Sequence, residues 1–145
     1  MRSYMRLLGE LGRALFGLTY IGGAAVHIYL WATNPGVYAE ITQFILFDWY
    51  RDLWTGLILP NLGILLPVLA LAEVGMGLAI LTRGRAARAG LLAGGLFNLC
   101  VAPLGFWWPT NVLLAAGHAA LAKAAFHRST VRAIRGSRRP EPPVK

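Results

Sequence analysis

The stretch WTGLILPNLGILLPVLALAEVGMGLAILT, residues 54–82, is followed at once by Arg83, Arg85 and Arg88. It contains no basic residue and one acid, Glu73, and it exceeds the ~20 apolar residues needed to cross ~30 Å of hydrocarbon. It therefore reads as a membrane-spanning helix, bounded on one side by arginines. Pro60 and Pro67 fall in its first half, where a tilt or kink is expected. An acid near the middle of a membrane helix costs ~2.5–3.5 kcal/mol on insertion scales, so Glu73 marks either a functional site or a packing-critical one.

Working outward, the same criterion gives three more spans. The first covers residues 11–31. The third covers 89–108, with Pro103 near its end. The fourth covers 111–126. Trp108-Pro109-Thr110 between the last two is too short for anything but an antiparallel hairpin. A cleaved secretory leader is the competing reading of the N-terminus, but Tyr29, Leu30 and Trp31 continue the apolar run past the small residues at 22–25. The expected architecture is an all-α membrane protein, a four-helix bundle over residues 1–127. A basic tail at 128–145, rich in Arg and Pro, is expected to be disordered and drawn to anionic lipid.

Lysine and arginine set the orientation. Arg2, Arg6 and Arg13 lie before or at the start of the first span, Arg83, Arg85 and Arg88 fill the 2–3 loop, and Lys123 and the later basic residues lie at or after the end of the fourth. Only Arg51 lies on the opposite side, flanked by Asp48 and Asp52. Both termini are thus expected in the cytoplasm, with Trp31, Trp49, Tyr50, Trp54, Trp107 and Trp108 forming an aromatic belt outside. In the outer 1–2 loop, Asn34-Pro35-Gly36 stops the first helix. Val37, Ile41, Phe44 and Ile45 then recur at helical spacing opposite Glu40, Gln43 and Asp48, which predicts a short amphipathic helix acting as a cap or lid.

Composition agrees. The 145 residues are 57% hydrophobic and only 14% charged, against roughly a quarter charged in soluble domains. The mean hydropathy is +0.55. The single cysteine, Cys100, excludes an internal disulfide, a C-x-x-C redox pair and a cysteine-rich zinc site. A net charge of +8 would suit nucleic acid, but the basic residues flank apolar spans, so the bilayer accounts for them. No metal site is expected.

Three spans carry a polar residue at matching depth. Glu73 is ten residues before Arg83, Asn98 ten after Arg88, and His118 ten before Arg128, so each lies roughly 15 Å in. His27 falls about one turn further out, and Tyr20 lies lower on the same helix. Unsatisfied polar groups in hydrocarbon cost several kcal/mol each, so these should face inward and pair. Four readings remain open at this point: interhelical glue, a ligand or quinone head-group site, a proton relay through Glu73 and His118, and haem ligation by His27 and His118. The last is disfavoured by the difference in depth. Gly75 and Ala79, Gly90 and Gly94, and Ala120 and Ala124 have the small-xxx-small spacing of close helix contacts or of an oligomer face.

Residues 15–27, LFGLTYIGGAAVH, followed by Asn34-Pro35 and Tyr38, resemble the first helix of DoxX-like membrane proteins. Ala72-Glu73-Val74-Gly75-Met76-Gly77-Leu78 before the Arg83–Arg88 turn resembles that family's second helix, and Phe97-Asn98 fits more loosely. The resemblance spans roughly residues 11–125. It implies a four-helix membrane fold and an association with quinone-linked redox or oxidative-stress complexes. The expected role is an accessory or assembly subunit of such a system. The rival is an enzyme or carrier for a lipid-soluble ligand or quinone, with Tyr20, His27, Glu73, Asn98 and His118 as the site.

Overall fold

The structure, a computed structural model, describes residues 2–124 together with Phe126, Thr130 and Ala133. Among these every regular element is a helix and there is no strand. Helix α1 runs Arg2–Thr33, α2 Val37–Glu40, α3 Asp48–Leu53, α4 Leu62–Leu81, α5 Gly84–Val101 and α6 Trp108–Ala122. Three helical stretches are long and apolar enough to cross a membrane: Leu7–Thr33, Asp48–Leu81 and Gly84–Leu104. The fourth expected span is represented by α6, whose 15 residues extend only about 22 Å. The expected tail, 128–145, lies outside the described residues except for Thr130 and Ala133, and Thr130 is helical and buried.

The chain order is also the packing order. Helix α1 lies along α4, α4 against α5, and α5 against α6. Helix α6 closes back on α1, where Gly12 faces Leu121 and Gly117 faces Phe16. Large apolar side chains point outward from this assembly, with Ile64, Leu71 and Leu113 at 70%, 74% and 72% exposure. Water would not tolerate so much exposed apolar surface on a monomer, whereas lipid tails are as apolar as leucine.

Element boundaries differ from the sequence reading in instructive ways. Helix α1 begins nine residues before residue 11, and its N-terminal part is held by Arg13. That side chain is fully buried, pairs with Glu10 at 2.6 Å and donates to the Thr82 carbonyl at 2.9 Å. Its guanidinium also lies 4.3 Å from the Phe126 ring centroid. The arginine thus satisfies a carbonyl left open at the C-terminal end of α4. The second span starts earlier, at Asp48, and is not one uniform α-helix. Residues 54–58 form a π-helical turn and 59–61 a 3₁₀ turn before α4 begins. Pro60 has no N–H for a regular ladder, and the irregular turns absorb that defect.

The loop after α1 is not a continuous amphipathic helix. It forms one α turn, α2, and then a 3₁₀ turn, Ile41–Phe44. Tyr38 and Ile45 are the residues it buries, while Phe44 remains 43% exposed. Four polar contacts tie this cap down. Trp54 Nε1 donates to the Tyr38 carbonyl at 3.1 Å, and Arg51 Nη2 donates to the Ile45 carbonyl at 2.9 Å. Leu46 N donates to the Pro103 carbonyl at 3.0 Å, and the Tyr50 hydroxyl donates to the Cys100 carbonyl at 2.7 Å. The 5–6 connection spans residues 102–107 and turns at Gly105, whose φ is +93°. A Cβ there would run into the Phe44 carbonyl, so glycine is required both by the dihedral and by the close pass of the cap.

Candidate functional site

Tyr20, Gly23 and His27 repeat at three and four residues, which puts them on one stripe of α1. Each contacts a different level of the helices opposite. The expected single polar layer is therefore divided into two tiers, with α1 as the ruler at 1.5 Å per residue.

The inner tier centres on the Tyr20 hydroxyl, with its partners on α5 and α6. It lies 2.8 Å from the Gly94 carbonyl and 3.2 Å from His118 Nε2, and Asn98 Nδ2 donates to it at 2.8 Å. Asn98 Nδ2 is also 2.8 Å from the Gly94 carbonyl. His118 Nδ1 is 2.7 Å from the Leu114 carbonyl, which can only accept, so Nδ1 carries the proton and a neutral ring leaves Nε2 as an acceptor. Phe16 covers the imidazole at a centroid distance of 3.8 Å. Gly94 makes this junction dense. A Cβ at that position would meet the Tyr20 oxygen at 2.6 Å and His118 Nε2 at 2.8 Å.

The outer tier centres on Glu73. It is 4% exposed and its Oε1 lies 3.6 Å from Nε2 of His27. Its Oε2 is buried without a hydrogen-bond partner among the described residues. Gly23 supplies the room, since a Cβ there would stand 3.3 Å from Oε1. His27 Nδ1 is in turn 2.6 Å from the Tyr38 hydroxyl, and the two rings stack with centroids 5.9 Å apart. Burial, and then the charge of Glu73, push the Tyr38 phenol above its ordinary value, so it keeps its proton.

Tyr38 and His27 look into a cavity of about 900 Å³ beneath the α2 cap. Its walls are mainly aromatic and aliphatic, including Trp54, Leu66, Leu69 and Phe97. Leu62, Leu65, Leu66, Leu69 and Ala72 form one wall, a face of α4 about 15 Å long. Such a slot is long enough for several isoprenoid- or alkyl-chain units and holds few polar groups.

All five residues expected to form the site are buried or half-buried on helix–helix contacts. The structure joins Tyr20, Asn98 and His118, and separately joins His27 and Glu73. It does not pair Glu73 with His118. That expectation counted residues from the flanking arginines as if every helix stood upright at one depth. Helices that begin and end at different levels break the assumption, since α1 starts nine residues before its expected span and α6 has only 15 residues. Sequence reasoning gave Tyr38 no chemical role, although its position just past Asn34-Pro35-Gly36 was a signal. A turn there folds the next aromatic back over the end of α1. Gly23 was legible in the same way, as a small residue one turn before a histidine.

No protein-family model matches the chain, and no curated protein or solved structure matches it.

Proposed function

We propose that the chain is an integral membrane protein whose four longer helices all cross the bilayer, with both termini in the cytoplasm. In this reading α6 and the residues after it complete the fourth span. The chain holds a lipid-soluble molecule of the quinone type in the cavity beneath α2, and serves as an accessory or assembly subunit of a membrane redox system. The observation that carries the ligand reading is the cavity itself: about 900 Å³, mainly apolar, with His27 and Tyr38 as hydrogen-bonding groups on its wall. Pockets with mostly apolar walls and a few convergent polar groups are the usual form of a small-molecule site. The DoxX-like character of residues 15–38 and 72–88 supports the redox association. The inner tier acts as structural glue, because its polar side chains already find partners in one another and in two carbonyls.

The test is an organic extract of the detergent-purified chain, compared with that of Leu69→Trp, which fills the slot. A quinone or other lipid enriched in the wild-type extract and lost from the variant is expected. Equal, unenriched extracts from both would overturn the ligand reading. Co-purification of the chain with respiratory subunits tests the accessory role, and its absence from such complexes would refute that part alone.

A further inference from the structure

We infer that the cavity opens sideways into the bilayer between α4 and α5, so that it takes a long-chain lipid by its head group and leaves the tail among the surrounding lipid chains. The inference rests on the proposed cavity ligand and on the membrane reading, and it adds the route of entry and the part of the ligand that is selected.

Helices α4 and α5 touch closely near the hairpin that joins them. A Cβ at Gly90 would come within 2.9 Å of the Ala79 Cβ and 2.8 Å of the Ile80 nitrogen. Ala72 and Val68 stand seven and eleven residues before Ala79, on the same face of α4. At their level α5 no longer covers that face. Both residues are exposed, Val68 at 56%, and both line the cavity. Val68 also continues the exposed stripe of Ile64 and Leu71. The cavity wall and the outward surface of the bundle therefore meet at Val68. Across the gap, Phe97 and Val101 of α5 line the cavity, and Tyr50 of α3 reaches over to the Cys100 carbonyl. Val68 is thirteen residues from the end of α4 at Leu81, so it lies at most about 20 Å along the helix from the arginine loop. A tilt only shortens that depth, and the hydrocarbon extends over ~30 Å. The mouth thus faces lipid tails and not water.

The polar and apolar walls are segregated to match. His27 on α1, Tyr38, Glu40 and Gln43 on the cap, and Asn111 on α6 supply polar groups, while every lining residue of α4 and α5 is apolar. Tyr50 and Trp54 line the cavity as well, but their hydroxyl and ring N–H are bound to the carbonyls of Cys100 and Tyr38. Amides, a phenol and a neutral imidazole can each donate and accept, so this side suits an oxidised or a reduced quinone head alike. The apolar side runs about 15 Å along α4 and is open at Val68 and Ala72. A head group held on the polar side sends its tail along this wall and out past Val68. Affinity then depends on the head and the first chain units, and a tail far longer than the slot brings no penalty.

The experiment places the full chain in phosphatidylcholine vesicles that hold equal mole fractions of two probes with one head group, decylubiquinone and its decaprenyl homologue. After dilution into detergent and gel filtration, both quinones are quantified in the protein peak. Leu69→Trp, whose slot is filled, gives the background. The wild type is expected to retain both probes above background, in a ratio within about twofold of that in the vesicles. Val68→Trp narrows the mouth and should lose the decaprenyl probe by about tenfold relative to the decyl one, near the low end of what overpacking costs. Ile64→Trp, on the same stripe but not on the cavity wall, should behave as the wild type. A wild type that holds the decyl probe and excludes the decaprenyl one has an enclosed cavity, which overturns this inference and leaves the cavity ligand standing. Undiminished retention of the decaprenyl probe by Val68→Trp overturns the placing of the mouth between α4 and α5. Retention of neither probe above background removes the cavity reading and this inference with it. If Val68→Trp does not fold, the wild-type ratio decides.

Discussion

Oε1 of Glu73 stands 3.6 Å from Nε2 of His27, across the contact between α1 and α4, and its second oxygen has no hydrogen-bond partner among the described residues. A residue kept only to hold helices together would be expected to complete its hydrogen bonds. A buried carboxyl with an oxygen left unpartnered instead costs stability, and an apolar side chain of similar volume removes that cost.

Glu73→Leu is therefore expected to melt in detergent at or above the wild-type temperature, and Glu73→Gln close to it. A clear fall in the melting temperature of Glu73→Leu, with Glu73→Gln unchanged, would show that the carboxylate is structural glue after all.

The inner tier should behave in the opposite way. Tyr20→Phe removes the oxygen that receives Asn98 and faces His118 Nε2. Asn98 keeps the Gly94 carbonyl, but the imidazole nitrogen loses its partner, at a cost of ~1–3 kcal/mol. Thermal unfolding should show this loss while cavity binding is retained. Paired with His118→Phe in a double-mutant cycle, the two substitutions should be non-additive. Additive effects would mean that the Tyr20–His118 contact carries no energy.

How much of this was legible in the sequence follows from what each signal measures. Apolar run length found the three helices that are long enough to span, because hydrocarbon thickness is a fixed quantity, and it also offered a fourth at 111–126 where the helix has only 15 residues. It placed the start of the second span six residues late, since Asp48, Arg51 and Asp52 look like loop residues until Arg51 is seen bound to Asp48 and to the Ile45 carbonyl. Residue type identified Tyr20, His27, Glu73, Asn98 and His118 as inward-facing. Their partners were not legible, because pairing depends on how each helix is rotated and where it starts relative to its neighbours. Arg13 was read as a topogenic charge only. Its burial depends on Thr82 and on Phe126, more than a hundred residues away in the chain, and no local pattern reports that.

Two glycines offer a matched comparison. A Cβ at Gly94 would press on Tyr20 and His118, whereas one at Gly75 meets nothing within 4 Å. Gly94→Ala should destabilise by ~1–3 kcal/mol through overpacking. Gly75→Ala should stabilise by ~0.5–1 kcal/mol through helix propensity alone. Denaturation of both in one detergent checks this. A tolerated Gly94→Ala would show that the junction of α1, α5 and α6 is looser than drawn.

The orientation proposed for the chain rests on the arginines, eleven of which fall on one side. Residues on opposite sides can be labelled separately. Asp48 is exposed, with its side chain at 92%, and Arg85 is exposed in the first turn of α5. With Cys100→Ser as the background, Asp48→Cys should react with a membrane-impermeant maleimide on intact cells. Arg85→Cys should react only after the membrane is opened. Neither position enters the cavity, so labelling reports sidedness and not ligand access. Reversed labelling would invert the topology and turn the cavity to the cytoplasm. Labelling of both positions from outside would mean that the stretch Asp48–Leu81 does not span, and the membrane reading of the fold would have to be abandoned.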